Sequence, residues 1–118
     1  MDKKTRDHDS MMQGLNWWGI PTLFRCPYNS DSEGCDIALV GVPHSTGNGT
    51  TERDQHLAPR AVRNVSALGR RAHLKFEIDP WNICDIRDLA DVPLPEANNN
   101  EKCIEHITDF YKQIAENK

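Results

Sequence analysis

The stretch from Cys35 to Arg63, CDIALVGVPHSTGNGTTERDQHLAPRAVR, constrains the fold more than any other part of the chain. Asp36 to Val42 is almost continuously apolar after its first residue, the pattern of a strand covered on both faces in a parallel sheet. Pro43 stops it, and the segment from His44 to Leu57 is a polar loop with turn formers at Gly47, Asn48 and Gly49. Pro59 suits the first position of a helix, where no amide donor is needed. Ala61, Val62, Val65 and Leu68 then recur with helical spacing and predict one apolar face, with Gly69 as a stop. Arg60, Arg63, Arg70 and Arg71 fall largely off that face. In open α/β sheets, loops at the carboxyl ends of strands are where ligands bind, so the loop opening at His44 is the candidate site rim.

The second half repeats the order. A second strand is predicted from Trp81 to Ile86, with Asp85 and Asp88 near its carboxyl end. A loop rich in Pro, Asp and Asn follows from Asp91 to Asn100. The last helix starts near Asn100, a good N-cap, with Glu101 at the dipole-favoured end. Ile104, Ile107, Tyr111 and Ile114 make its apolar stripe, widened by Phe110. Strand, helix, strand, helix is the beginning of a doubly wound α/β sheet. Two strands do not make a parallel sheet covered on both faces, so the expectation is part of a larger domain, or a chain whose sheet a partner completes. Alone, such a chain is expected to be poorly folded or self-associated.

Ahead of the first strand, residues 1–13 are charged and aperiodic and read as a disordered tail. Residues 14–34 hold two tryptophans and two prolines, and read as an extended arm that docks by its aromatics: Trp17, Trp18 and Phe24. The 118 residues carry 14 basic and 18 acidic side chains, a formal charge of −4, which argues against nonspecific nucleic-acid binding. Mean hydropathy is −0.69. No apolar run approaches the ~18–20 residues that span a bilayer, and MDKKTRDHDS lacks the apolar stretch of a secretory signal. A cytoplasmic location is the expectation, with no membrane partner. Cys26, Cys35, Cys84 and Cys103 have no close-pair spacing and read as reduced, packed thiols rather than zinc ligands.

The Gly47-Asn48-Gly49 run invites a nucleotide reading that fails in detail. Glu52 stands where a dinucleotide fingerprint needs its third glycine, and the Gly-Lys-Ser/Thr of a P-loop is absent. His44, just past the strand, could contact substrate or orient a water; a loop histidine bonded to its surroundings is the favoured alternative. His56 reads as loop scaffolding, His73 and His106 as surface residues, and His8 as part of the tail. Asp85, Asp88 and Asp91 could serve a metal, but turn chemistry and ion pairs are the favoured reading. Glu52 and Arg53 could pair with each other or with loop carboxylates, and Asn64-Val65-Ser66 is a chance glycosylation triplet inside a helix.

Three features in order resemble the ureohydrolase (arginase/agmatinase) family: the arm GIPTLFRCPY, the strand CDIALVGVP, and the loop with helix start GNGTTERDQHLAPRAVR. Gly49, Thr50, Thr51, Arg53, Pro59, Arg60, Val62 and Arg63 match the family frame, and ERDQHL is similar to its guanidinase and guanidinobutyrase branch. Ala58 departs from the usual glycine before Pro-Arg, and the loop is about one residue shorter than the agmatinase pattern, with Gln55 and His56 in place of Gly-Ala.

The resemblance covers about residues 16–118. It implies the amino-terminal part of a three-layer α/β/α arginase-like fold with a mainly parallel sheet, incomplete in this chain, in a protein assembled as trimers or hexamers. It implies two Mn2+ or Ni2+ ions in the complete family fold, generating a hydroxide that attacks a small cationic guanidino substrate (guanidine, guanidinobutyrate or agmatine) and releases urea. The family's metal ligands lie in Gly-Gly-Asp-His, Asp-x-His-x-Asp and Asp-x-Asp motifs. Neither of the first two occurs here, so no metal ligand or catalytic residue is carried over to this chain, no metal is expected in it alone, and the stretch is expected to be inactive by itself. What carries over is a substrate-access loop, His44, Thr46, Asn48, Thr50, Thr51, Glu52 and Arg53, and an arm around Trp17, Trp18 and Phe24 that covers a neighbouring subunit's site. The other reading is a non-catalytic α/β interaction or assembly module that pairs with a longer subunit.

Overall fold

The computed structural model describes residues 19–46, 54–67 and 73–117. Strand β1 (Ile37–Gly41) and strand β2 (Ile86–Asp91) lie side by side and parallel, with Ile37 opposite Ile86, Ala38 opposite Arg87 and Leu39 opposite Asp88. A parallel pair cannot be closed by a tight turn. The connection here carries helix α1 (Ala58–Ser66) and the short helix α2 (Pro80–Ile83), and helix α3 (Asn100–Glu116) follows β2. The first strand and the two main helices therefore stand where the sequence pattern places them.

The second strand does not. Trp81 to Ile83 form α2, because Asp79 and Pro80 together make a helix start: the Asp79 side chain accepts the Trp81 N–H at 3.0 Å, and proline takes the first helical turn. The strand begins only at Ile86. Asp85 thus precedes β2, Asp88 sits within it, and Asp91 ends it. Arg87 and Asp88 disguise the strand by their polarity, yet both are paired. Arg87 makes two bonds to the Asp85 carboxylate, of 2.8 and 3.1 Å, and also donates to the carbonyls of Asp31 and Glu33.

The register slips near the end of the pair. Leu39 faces Asp88, but Gly41 faces Asp91, so β2 holds one residue more than β1 over this interval. The result is a β-bulge, and Ala90 within it has φ = 66°, a left-handed conformation that glycine normally fills. Pairing resumes beyond it, where the Val92 N–H donates to the Gly41 carbonyl at 2.9 Å.

Helix α1 is turned the other way from expectation. Val62 is 49% and Val65 77% exposed, while Arg63, Ser66 and Ala67 face inward. Leu68 and Gly69 lie outside the described residues. In α3 the N-cap is Asn99 rather than Asn100; its side chain accepts the Lys102 N–H at 3.2 Å. Cys103 is fully buried, Ile107, Phe110 and Ile114 partly so, and Ile104 remains 53% exposed. Among the described residues the buried apolar side chains are few: Cys26, Ala67, Ile86, Leu89, Val92 and Cys103.

The arm docks along the other edge of β2. The Asp88 N–H donates to the Pro27 carbonyl at 2.9 Å, and the Asn29 N–H donates to the Asp88 carbonyl at 3.1 Å. Before this point, Leu23–Arg25 makes one 3-10 turn in which Phe24 (φ 52°) and Arg25 (φ 59°) are both left-handed. Among the described residues, no helix is long and apolar enough to cross a membrane.

Candidate functional site at the carboxyl edge

The loops leaving β1 and β2 enclose a cleft of about 670 Å³ at the carboxyl edge of the strand pair, lined by His44, Thr46, His56, Arg60, Asp91 and Ala97 among others. This is the position at which open α/β sheets hold ligands. Three contacts shape it. His44 Nε2 lies 3.1 Å from Asn100 Oδ1, at the start of α3. The Thr46 hydroxyl donates to the Ala97 carbonyl. Ser45 Oγ lies 3.3 Å from His56 Nδ1, so the loop after β1 is tied to the turn before α1.

Behind the cleft, and reaching its lining through Asp91, lies a charge cluster. Arg63 projects inward from α1 and makes three bonds. Nε and Nη2 grip the two oxygens of Asp88 at 2.9 and 3.0 Å, and Nη1 reaches Asp91 Oδ1 at 2.6 Å. On a regular strand, residues three apart point to opposite faces. The bulge at Ala90 corrects this by one residue and brings both carboxylates to the same guanidinium. A Cβ at Gly41 would collide with the Asp91 carboxylate and stand 2.8 Å from Pro59 Cβ, so glycine on β1 is what leaves room for the pair.

Asp88 is 1% exposed, yet it remains charged because every acceptor position is used. Besides Arg63, it accepts the Leu23 N–H at 3.0 Å and the Ala90 N–H at 2.8 Å. Desolvation pushes its carboxyl up, but the Arg63 bonds and the two backbone donors outweigh this and hold it below the ordinary aspartate value. The Arg63 guanidinium is correspondingly driven further above its already high value, first by its bonds to Asp88 and against the cost of burial.

The same cluster holds the arm. With the Leu23 amide on Asp88, the Phe24 N–H donates to Ser66 Oγ at 3.0 Å and Arg25 Nε to the Ala67 carbonyl at 2.6 Å. Left-handed non-glycine residues cost about 1–2 kcal/mol each. Three bonds in consecutive residues explain why the turn adopts two of them. The Phe24 ring packs on Trp81, with ring centroids 5.1 Å apart.

Of the residues expected at the rim, His44 and Thr46 line the cleft. Asn48, Thr50, Thr51, Glu52 and Arg53 lie outside the described residues, as do Trp17 and Trp18. The carboxylate run resolves into ion pairs, Asp85 with Arg87 and both Asp88 and Asp91 with Arg63. Sequence reasoning missed Arg63 and the bulge. The available signal was the Asp88-Leu89-Ala90-Asp91 spacing, which cannot put both carboxylates on one face of an unbroken strand.

A family model described as the arginase family matches residues 35–118, which takes in both strands, all three helices and the cleft. The chain belongs to the arginase family. Among its relatives, a guanidinopropionase of Pseudomonas aeruginosa is 33% identical over 96 residues, covering 81% of this chain and 30% of that protein. The mitochondrial agmatinase of Gallus gallus is 28% identical, covering 82% and 28%. The mitochondrial guanidino acid hydrolase of Homo sapiens is 27% identical, covering 82% and 27%. A crystal structure of a hypothetical agmatinase from Burkholderia thailandensis superposes with a TM-score of 0.71 at 25% identity, covering 86% of this chain and 32% of that one. The chain thus spans about 30% of the length of these arginase-family relatives and carries part of an arginase-like α/β fold.

Arginase-family enzymes generally use paired metal ions. Among the described residues, no three His, Cys, Asp or Glu side chains converge on a point that would hold a metal. The carboxylate at the cleft, Asp91, and its neighbour Asp88 are held by Arg63. The described part of the site does not fit a metal centre.

Proposed function

We propose that this chain forms the amino-terminal part of a cytoplasmic, oligomeric hydrolase of guanidino compounds, which releases urea together with an amine or ammonia. In this reading the carboxyl-edge cleft is the access rim of the active site, with His44 and Thr46 on its wall, and the two metal ions are held by residues other than those described. The observation that carries the proposal is the family match over residues 35–118, which coincides with the elements that build the cleft. The relatives' names favour small guanidino substrates: guanidinopropionate, guanidino acids and agmatine. The chain by itself is inactive in this reading.

Intact mass of the protein purified from its source, with metal analysis and urea-release assays on the same sample, tests it. A mass about three times the 13.4 kDa of this chain is expected from the share of the relatives that it spans. About two bound metals per subunit and urea from a guanidino substrate complete the expected result. A 13.4 kDa native species without metal or urea release would overturn it and turn the search to a longer partner subunit.

A further inference from the structure

The arm and the rim are separate surfaces, yet one ion cluster joins them. On one side of Arg63 lies a second cleft of about 840 Å³, bounded by Ile20, Pro21 and Tyr28 of the arm and by Arg60, Arg63 and Asp91. The carboxyl-edge cleft, which Arg63 does not line, adjoins it through Arg60 and Asp91. Asp88 takes the Leu23 amide of the arm, and Asp91 lines both clefts. Arg63 holds both. The arm turn is left-handed at Phe24 and Arg25, and the rim strand is left-handed at Ala90. Strained backbone of this kind persists only where the surroundings over-determine it. The restraints on both strained segments run through the same cluster: Leu23 and Ala90 each donate to the Asp88 carboxylate that Arg63 grips.

We infer that Arg63 is a positioning residue that couples the docked arm to the carboxyl-edge rim, so that loosening either side loosens the other. A coupling of this kind is reciprocal, because it is a free energy shared between two sites. It goes beyond the proposed hydrolase activity and holds whether or not that activity is found, since neither arm nor rim needs bound substrate to be observed. In an assembly whose subunits touch through the arm, the same coupling would report arm contact to the cleft.

Amide exchange resolved residue by residue in the intact protein at its native length tests this, in the parent and in three variants. Ser66→Ala removes one arm bond without touching the ion cluster; Asp91→Asn weakens the rim side; Arg63→Lys keeps the charge but loses the two-pronged grip. The amides of Leu23 and Phe24 report the arm, those of His44 and Val92 report the rim, and Cys103 in α3 is the reference. With Ser66→Ala, exchange at Phe24 is expected to rise about fivefold, the loss of one hydrogen bond. His44 and Val92 are expected to follow by about fivefold relative to Cys103, the low end for coupled sites. Asp91→Asn is expected to do the reverse, and Arg63→Lys to accelerate both sets together. If each variant moves only its own side, the inference fails. It also fails if Cys103 accelerates in step with the rest, because that is general destabilisation and not coupling.

Discussion

Single residues at the carboxyl edge carry strain and crowding that can be measured. Ala90 holds a left-handed conformation at a position where glycine would be unstrained. Ala90→Gly removes about 1–2 kcal/mol of strain and adds about 0.4–1 kcal/mol of unfolded-state freedom. A net gain of roughly 0.5–1 kcal/mol is expected, read as a higher urea midpoint with unchanged slope. Gly41→Ala works in the opposite direction. Its methyl group would push on Asp91 and Pro59, and overpacking of this kind costs about 1–3 kcal/mol. Urea titration of the two variants beside the parent checks both signs. At this scale the sequence was only partly legible. His44 and Thr46 could be placed on the rim because a strand end precedes them. Arg63 could not, because an arginine off an apolar stripe reads as solvated until the helix is seen to turn that stripe outward.

Elements show a sharper division between what was legible and what was not. Strand β1 was readable because its residues form a continuous apolar run, although only Gly41 of it is buried among the described residues. Strand β2 was displaced by five residues in the reading, because Trp81 and Ile83 resemble a strand start while Asp79 and Pro80 impose a helical turn. Its own residues, Arg87 and Asp88, look polar until their partners appear. The last helix was read correctly, but Asn98, Asn99 and Asn100 offer three successive caps, and only the Lys102 bond identifies Asn99. Asn99→Ala is therefore expected to cost about 1 kcal/mol, and Asn100→Ala much less of the capping energy, by urea unfolding followed at helical wavelengths. Acid separates the arm from the other elements. Asp88 has a folded pKa below its unfolded value, set by Arg63 and the Leu23 and Ala90 amides against burial. Its contribution is full above the ordinary aspartate range, about 3.9, and disappears as pH falls through the lower folded value. The Phe24–Trp81 contact should thus survive near pH 4 and be lost below it, followed by tryptophan fluorescence. In Asp88→Asn this acid step should be missing, and the arm already loosened at neutral pH.

At the scale of the whole molecule, the described residues present more apolar surface than a two-stranded sheet can cover. Val62 and Val65 of α1 and Ile104 and Tyr111 of α3 are largely open, and the outer edge of β1 has no strand partner among the described residues. A chain of this kind, expressed as these 118 residues, is expected to self-associate, since exposed apolar faces and open edges promote pairing. Sedimentation velocity checks this: a species heavier than 13.4 kDa that grows with concentration is expected, and a sharp monomer at all concentrations would contradict it. The fold class was legible because the order of elements is set by periodicity. The extent of the missing cover was legible only as a shortage of strands. Which helix face would be open was not, because an apolar stripe has the same spacing whether its neighbour belongs to the chain or to something else.

The bulge at Ala90 also makes the end of β2 intolerant of added length. Strand residues alternate like odd and even numbers, and one extra residue has changed the parity between Asp88 and Asp91. Deleting a single codon there would leave the composition nearly intact and restore a regular ladder. The two carboxylates, then two residues apart on a regular strand, would stay on one face, whereas a single-residue insertion would send the second to the far side of the sheet, away from Arg63. Along this edge, single-residue insertions should therefore be more damaging than single-residue deletions, a bias that a deep mutational scan with both would read directly.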